Sequence, residues 1–479
     1  MPDGFNAPED PLGQQNPSHQ HNNIRVPRPD KDPAISTDAF FGSLTRIRNA
    51  ILPAPVQSGL NTGRGLLGGF IVMHLVFLVF AASLSLRGEA LSDTYIYRNW
   101  AMAGFDDANL SGGPSPWVYP ILALIPMAIA GMAGPGPFFF LWVLMTTLLN
   151  GWALLKLTSS GRDRRAIPAG WWWLVFTFLM GWLGFARVDG LTAPLVLVAL
   201  AYGAGRPFIA SVLLAIGTWV KVWPAAVMLA LFAVVKNRLL VMLAGIATSA
   251  VVLALAAAVG SVPRLLDFLS QQGGRGMQLE ATFTTPWLWL SVLNVGGSKM
   301  YMNTDINSMQ VDGPGTALMS VLMQPLLILA ALLVAGLTFW ALHNGKQRGG
   351  KQLNGGPGDG TDRTELLLAG ALTLATAFVV FNKVGSPQFM VWLAPAVAVG
   401  LVHSWREWRV PAAMLIVIAV TTYFIYPLFY DALSHNNPWM ALVLTIRNLL
   451  LVVLFVWSAR RLYLLGKKTP AATPALKES

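Results

Sequence analysis

Apolar segments, most of them close to 20 residues long, follow one another from residue 66 to residue 458. Hydrophobic residues make up 54% of the 479-residue chain and charged residues only 11%, whereas roughly a quarter of the residues of a soluble domain are charged. About 20 apolar residues are needed for a helix to cross the hydrocarbon core of a bilayer. The sequence therefore predicts an all-α polytopic membrane protein with about 12 transmembrane helices. The candidate spans are 66–86, 138–157, 169–186, 190–205, 208–221, 224–235, 239–259, 316–341, 365–382, 386–403, 410–430 and 439–458.

The basic residues in the connections predict how these helices are oriented. The apolar segment 117–133 is interpreted as a juxtamembrane helix, because the basic stretch 161–165 then lies on the same side as the other Lys- and Arg-rich connections. Positive charge is concentrated in cytoplasmic loops. Both termini are therefore expected in the cytoplasm, and the protein in the plasma (inner) membrane.

The chain is predicted to contain tails and a surface helix besides its membrane part. Phe40, Ile47 and Ile51 fall on one side of a helix over 38–51, a pattern typical of an amphipathic helix lying on a membrane. The first residues are rich in Pro, Asn, Asp and Gln, as in disordered segments. The predicted domains are a disordered cytoplasmic tail (1–37), an interfacial helix and linker (38–65), a transmembrane domain (66–464) and a second cytoplasmic tail (465–479).

Composition disfavours several classes of function. The chain has no cysteine, so it can form neither a disulfide framework nor a thiolate nucleophile. We find no nucleotide-binding loop, no HExxH motif and no strand pattern, and we expect neither a metal nor another cofactor. The net charge of +11 is assigned to cytoplasmic loops rather than to a nucleic-acid partner.

The side opposite the basic connections carries two long loops, 87–137 and 260–315, which exceed what a connector needs. Charged residues expected on this side are Asp93, Arg98, Asp106, Asp107, Arg187, Asp189, Lys221, Arg275, Glu280, Lys383, Asp431 and His435. Three of the cations stand at span ends, where a charge is costly unless it is paired or solvated. A bound phosphate explains such a cationic set. The alternative is snorkelling side chains and structural pairs such as Arg187 with Asp189.

A lone carboxylate near a phosphate site suits a particular reaction. It can remove the proton of an alcohol while a phosphate leaves, as in sugar transfer from a lipid phosphate. A nucleophilic triad is harder to build, because His435 is the one histidine expected on this side. Asp93, just beyond the first span in "ALSDTYIYRNW", is the best-placed candidate for the general base.

The stretches "SDTYIYRNWAMAGF" and "WVYPILALIPMAIAG" resemble landmarks of glycosyltransferase family 87. So do "FARVDGLTAPLVLVAL", "AIGTWVKVWPAAVMLAL", "GGRGMQLEATFTTPWLWL" and "VFNKVGSPQFMVWLAPAVA", in the same order over roughly residues 90–400. The resemblance implies a C-type glycosyltransferase fold. It also implies an activity like that of the actinobacterial mannosyltransferases that use polyprenol-phosphate-mannose to build glycolipids of the cell envelope.

The resemblance also implies roles for individual residues. Asp93 would deprotonate the acceptor hydroxyl, and the β-linked sugar phosphate would be inverted to an α-glycoside. The candidates for holding the donor phosphate are Lys221, Arg275, Lys383 and Arg187. The candidates for sugar or acceptor binding are Gln278, Glu280, Tyr97, Tyr119, Trp117 and Gln388, with a structural ion pair as the alternative for Glu280 and simple anchoring as the alternative for Trp117 and Tyr119.

The expected partners are a polyprenyl-phosphate sugar, a glycolipid acceptor and membrane lipid, with the protein acting as a monomer. Three other functions stay open from the sequence. One is an arabinofuranosyltransferase with a decaprenyl-phosphate donor. The others are a transporter of lipids or solutes, which its many spans would fit, and a structural scaffold.

Overall fold

The computed structural model describes residues 37–103, 117–258, 275–304, 306–349 and 362–467. The predictions for the tail 1–36, for Asp106 and Asp107, and for the end of the chain after residue 467 lie outside these ranges. So do the parts 104–116 and 259–274 of the two long loops.

Helices form most of the described chain, and they are numbered here in chain order. The first ten are α1 (Thr37–Ile51), α2 (Ala54–Leu60), α3 (Gly63–Leu86), α4 (Thr94–Ala103), α5 (Leu124–Gly131), α6 (Phe138–Leu157), α7 (Ile167–Met180), α8 (Trp182–Phe185), α9 (Asp189–Tyr202) and α10 (Pro207–Val220). They are followed by α11 (Pro224–Val234), α12 (Arg238–Ala258), α13 (Thr285–Val292), α14 (Thr316–Gly349), α15 (Arg363–Val380), α16 (Ala394–His403), α17 (Trp405–Tyr423), α18 (Tyr430–Ser434) and α19 (Pro438–Lys467). Short 3-10 helices cover Ile121–Ala123, Gly203–Gly205, Thr282–Thr284 and Pro387–Trp392, and a π-helix covers Phe424–Leu428.

Among the described residues, seven helices are long and apolar enough to cross a membrane. They are Gly63–Leu86, Phe138–Leu157, Arg238–Ala258, Thr316–Asn344, Arg363–Val380, Trp405–Leu428 and Pro438–Lys467. The prediction of a polytopic helical membrane protein is therefore confirmed.

The other five predicted spans correspond to shorter apolar helical segments, so the count of about 12 remains a prediction. Local chemistry explains why these helices are short. Prolines occupy the first helical position of α10 and α11, where the missing N–H is not needed. Gly181 and Gly203 end α7 and α9 with positive φ angles of 50° and 45°, which glycine adopts without steric cost.

The juxtamembrane interpretation of 117–133 stays a prediction, and the described helices of this segment are short. The segment folds as a 3-10 turn at Ile121–Ala123 followed by α5, which has 8 residues. At 1.5 Å per residue such a helix cannot cross a bilayer. Helices α4 and α13 are similarly short and lie in the two long loops.

The all-α prediction is corrected by one β-hairpin. Strands β1 (Lys299–Asn303) and β2 (Ser308–Asp312) pair antiparallel, with Lys299 opposite Asp312 and Asn303 opposite Ser308. Each strand has 5 residues, too few for the two-residue alternation to stand out beside the long helical patterns.

The interior of the membrane part is formed by helices that are apolar on every side. In α15, 83% of the most apolar window is buried, against 22% in α3 and in α14. A helix without a polar face is stable when neighbours surround it. Helices α9 and α16 are buried in the same way, so the core contains α9, α15 and α16 and the peripheral helices expose apolar side chains.

The described residues fall into two compact units, one that ends at Pro53 and one that begins at Ala54. In the first unit, the helix predicted over 38–51 is observed as α1. Its Phe40, Ile47 and Ile51 are 51%, 54% and 71% exposed. Binding of this helix to a membrane stays a prediction.

Candidate active site

Asp93 precedes α4 at the end of a tight turn. Ser92 has a positive φ of 59°, and the Asp93 carbonyl accepts the first helical hydrogen bond from the N–H of Tyr97 at 2.9 Å. Arg98 ties the turn down by donating to the carbonyl of Gly88 at 2.6 Å. The Asp93 side chain is 24% exposed, so the carboxylate can be reached from solvent while its backbone is fixed.

The Asp93 carboxylate is paired with Arg187. The guanidinium donates to Asp93 Oδ2, and its second nitrogen donates to the hydroxyl of Tyr426 at 3.4 Å. The Arg187 side chain is only 10% exposed, and a buried charge needs such a partner. The hydroxyl of Tyr97 also approaches Asp93 Oδ2, at 3.4 Å.

Tyr97 belongs to a cluster of rings that supports Asp93. Its hydroxyl lies 3.0 Å from the hydroxyl of Tyr119, and its ring lies 4.9 Å from Trp142. Trp117 packs against Trp100 at 5.0 Å and against Tyr119 at 5.9 Å. All five rings are buried, which favours the anchoring interpretation of Trp117. The hydroxyl of Tyr97 therefore links the hydroxyl of Tyr119 to the Asp93 carboxylate.

A second carboxylate, Asp189, lies fully buried at the start of α9. Its Oδ1 accepts a hydrogen bond from Trp392 Nε1 at 2.7 Å, and its Oδ2 lies 3.5 Å from Lys221 Nζ. The predicted structural pair of Arg187 with Asp189 is therefore wrong. These two neighbours point to different partners, Arg187 to Asp93 and Asp189 to Lys221.

Lys221 lies between Asp189 and two aromatic rings. Its ammonium is 4.5 Å from the centroid of Tyr119 and 5.8 Å from that of Phe389. Aromatic faces attract cations electrostatically. Phe389 stacks on Trp392 at 4.0 Å, so the residue that binds Asp189 also supports the ring under Lys221. With a side chain 17% exposed, Lys221 keeps an open side.

Arg275 and Lys383 complete the set of cations. Burial lowers the pKa of Arg275, while the charges of Tyr119 and Asp93 act in the opposite direction. Burial and the nearby charge of Arg275 lower the pKa of Lys383. Two cations that repel one another in a partly desolvated place favour an anion between them. Within the described chain, Arg275 Nε is buried without a hydrogen-bond partner.

The backbone joins the loops that carry these two cations. The N–H of Gln278 donates to the carbonyl of Lys383 at 3.0 Å, and Gln278 Oε1 accepts from the N–H of Gly385 at 3.0 Å. A Cβ on Gly385 would lie 2.3 Å from the nitrogen of Ala281, so only glycine permits this approach. Gln278 therefore positions both loops instead of pointing freely into the site.

Glu280 and Gln388 are both buried. Burial raises the pKa of Glu280, while hydrogen bonds from Tyr430 and Gln278 and the charge of Arg447 lower it. Arg447 also donates to the Glu280 carbonyl at 2.7 Å. Arg447 thus contacts the backbone of Glu280, and the choice between sugar binding and a structural ion pair for Glu280 stays a prediction. Glu280 Oε2 and Gln388 Oε1 are both buried without a hydrogen-bond partner in the described part of the chain.

The structure thus brings Asp93, Arg187, Tyr97, Tyr119 and Lys221 into one continuous set of contacts. Arg275 and Lys383 are linked to this set electrostatically. The roles of all these residues stay predictions.

Sequence reasoning did not select Asp189, Trp392 or Tyr426 as site residues. The sequence did contain a signal for Asp189, which is a carboxylate at the start of an otherwise apolar segment. An ionisable residue in such a position is a functional-site candidate by default. The two aromatic residues gave no comparable signal among 18 Trp and 9 Tyr.

Metal ligands are not grouped in the part of the chain that the structure describes. No three His, Asp or Glu residues there lie close enough together to hold a metal ion.

The family model of glycosyltransferase family 87 matches residues 117–352, about half of the chain. This segment includes Arg187, Lys221 and Arg275 and begins after Asp93. No curated protein and no solved structure matches the chain. The match supports membership of glycosyltransferase family 87, and the protein is accordingly a glycosyltransferase.

Proposed function

We propose that this glycosyltransferase moves a sugar, mannose in the first instance, from a polyprenyl-phosphate donor to a hydroxyl of a glycolipid on the extracytoplasmic face. The observation that carries the proposal is the position of Asp93, a partly exposed carboxylate in the same contact set as several cations. Seven described helices that can cross a membrane suit two substrates that are both lipids.

The proposed reaction is a single inverting displacement. The oxygen of the acceptor alcohol attacks the anomeric carbon, and the bond from that carbon to the phosphate oxygen breaks. The proton of the alcohol passes to Asp93, and the products are an α-glycoside and polyprenyl phosphate. General-base help of this kind contributes about 10²- to 10⁴-fold to the rate.

The charges of the site suit the leaving group. Four cations (Arg187, Lys221, Arg275 and Lys383) lie near two carboxylates, which leaves a surplus of positive charge. The donor is a phosphodiester with one negative charge, and polyprenyl phosphate acquires a second as the bond breaks. A fixed positive surplus stabilises the transition state more than the bound donor, which is the condition for catalysis.

Arg187 is proposed to act on the base as well as on the phosphate. In the structure it contacts Asp93 and Tyr426, so it orients the carboxylate toward the side from which an alcohol enters. This arrangement leaves Lys221, Arg275 and Lys383 as the cations that face the leaving phosphate, with Gln388 as a candidate for a sugar hydroxyl.

Asp189 is proposed to hold Lys221 in place. Asp189→Asn keeps the hydrogen bond from Trp392 but removes the charge that faces Lys221 Nζ at 3.5 Å. We expect kcat/KM for the lipid donor to fall about tenfold, the effect of losing about 1.4 kcal/mol of transition-state binding, with most of the loss in kcat, because Lys221 is proposed to act on the charge that grows as the phosphate leaves. Steady-state kinetics with varied donor concentration measure this. Asp312→Asn, in an exposed position at the end of β2, is the control, and equal kcat/KM values for both variants would contradict the role of Asp189.

We propose a C-type glycosyltransferase fold with the site on the extracytoplasmic face. This orientation can be tested by labelling. The chain has no native cysteine, so single cysteines report without background. Val295→Cys, 54% exposed in the second long loop, is expected to react with a membrane-impermeant maleimide added outside intact cells. Arg162→Cys is expected to react only after the membrane is opened. The reverse pattern would place the site in the cytoplasm.

The direct test of the proposed function is an assay of donors. The protein in lipid nanodiscs is incubated with a glycolipid acceptor and with polyprenyl-phosphate mannose, decaprenyl-phosphate arabinofuranose or a nucleotide sugar. We expect glycolipid product with the first donor and an inverted anomeric centre by NMR. Transfer from the arabinofuranose donor alone would identify arabinofuranose, in place of mannose, as the transferred sugar. Transfer from the nucleotide sugar alone would overturn the polyprenyl-phosphate proposal.

A further inference from the structure

We infer that an apolar groove between α10, α11 and α12 receives the isoprenoid chain of the lipid donor. This inference rests on the proposed function, since it names where the lipid part of that donor lies. The groove has a volume of about 560 Å³. Its lining includes Thr218 and Trp219 of α10, Ala225 and Phe232 of α11, and Met242 and Leu253 of α12.

The shape of the groove follows from the sizes of its side chains. Ala215, Gly245, Ser249 and Ala250 form a low floor between larger neighbours. A Cβ on Gly245 would lie 2.4 Å from the Cε of Met228, so the Met228 side chain packs directly against the glycine. Small residues between large ones leave a depression that one hydrocarbon chain can fill.

The groove opens toward lipid. Phe232, Met242 and Leu253 are 38%, 45% and 45% exposed, and α12 is one of the helices that can cross a membrane. From Met242 to Leu253 the helix rises by about 16 Å, at 1.5 Å per residue. The groove therefore runs along the helices for about half the thickness of a hydrocarbon core, and a chain can enter it sideways from the bilayer.

One end of the groove lies close to the proposed phosphate site, and this position favours the donor lipid as the occupant. Thr218 and Trp219 line that end, and Lys221 follows two residues after Trp219, within about 7 Å along the backbone. The backbone of Lys221 thus adjoins one end of the groove, while its ammonium is directed to Asp189 and the Tyr119 ring. A lipid whose chain lies in the groove can therefore bring its phosphate toward this cation. The indole of Trp219 is fixed at this end of the groove, because its Nε1 donates to Ser249 Oγ at 3.0 Å.

Chain-length dependence tests the inference. Ala250→Trp places a large side chain in the groove, and Ala247→Trp, on the same helix but outside the lining, is the matched control, since both alanines are exposed. The KM is measured for two donors with the same sugar phosphate, one with a long polyprenyl chain and one with a single isoprene unit. Thermal unfolding in detergent checks that both variants are folded.

We expect Ala250→Trp to raise the KM of the long-chain donor about tenfold, as the loss of roughly two buried methylene groups would, and to leave the KM of the short donor unchanged. Ala247→Trp should change neither. Equal shifts for both donors, or equal effects of both variants, would overturn the inference.

A second measurement separates this inference from the proposed function. Polyprenyl phosphate with a photoreactive group in its chain, and without any sugar, is crosslinked to the protein and the labelled peptides are identified. Labelling within 215–253 supports the groove, and labelling elsewhere refutes it. A wild-type protein that transfers sugar from neither donor refutes the proposed function instead, and the crosslink then decides the groove independently.

Discussion

Asp93→Asn is expected to lower kcat for sugar transfer by about 10³-fold, within the range of 10² to 10⁴ that a general base contributes. The asparagine has the same shape and can still accept hydrogen bonds from Arg187 and Tyr97, which contact Asp93 Oδ2 in the structure. It cannot take the proton of the acceptor alcohol. The measurement is single-turnover transfer from polyprenyl-phosphate mannose in nanodiscs.

Asp431→Asn is the matched control for this variant. The Asp431 side chain is 94% exposed and is paired with His435, which directly follows its helix, so kcat should stay within twofold of the wild type. Asp93→Asn should still bind donor, because the cations proposed to hold the phosphate are unchanged. An Asp93→Asn enzyme with kcat within tenfold of the wild type would remove Asp93 as the base.

A loss of binding together with a loss of rate would have a different meaning. Arg187 is nearly buried, and removal of its partner's charge leaves it uncompensated, which can disturb a site. Donor affinity and the melting temperature in detergent therefore need to be measured beside kcat. A variant that binds donor with wild-type affinity and melts normally, yet does not turn over, isolates the chemical step.

The sequence predicted the helices well wherever apolar length was the signal. The first span was predicted at 66–86 and is found at Gly63–Leu86, and 138–157 is found unchanged. The short helices were found in the predicted places, but hydropathy did not decide how many of them cross the membrane, because prolines begin some of them late and glycines end others early. The hairpin Lys299–Asp312 was missed, since strands this short show little periodicity.

The pairing of charges in the site was beyond sequence reasoning. Arg187 and Asp189 are two residues apart, and proximity along the chain suggested that they pair. In the structure Asp189 accepts from Trp392, 203 positions away, and Arg187 contacts Asp93, 94 positions away. A span end can place a charge on the right side of the membrane, but helix packing decides which partner it meets.

Arg275→Ala and Lys221→Ala are each expected to lower kcat/KM for the lipid donor by about 10²- to 10³-fold, the effect of removing one preorganised group from a developing charge. The two cations occupy different surroundings. Arg275 is partly desolvated and lies near Asp93 and Tyr119, whereas Lys221 is held by Asp189 and faces the Tyr119 ring.

The loss should appear mainly in kcat. Negative charge on the phosphate grows as the sugar leaves, so a cation there binds the transition state more strongly than the donor. Arg275→Lys and Lys221→Arg keep the charge and should recover at least part of the rate. Lys299→Ala removes an exposed cation from β1 in the same loop and should leave kcat unchanged.

The pattern of these variants decides between the phosphate site and a general electrostatic attraction to anionic lipid. Attraction to the membrane would make all three alanine variants raise the donor KM to a similar extent, and raised salt would screen the effect equally. A phosphate site predicts that Arg275→Ala and Lys221→Ala lose kcat at saturating donor while Lys299→Ala does not. Unchanged kcat in both site variants would mean that neither cation stabilises the leaving phosphate. The inverting mechanism would then need other residues for that task.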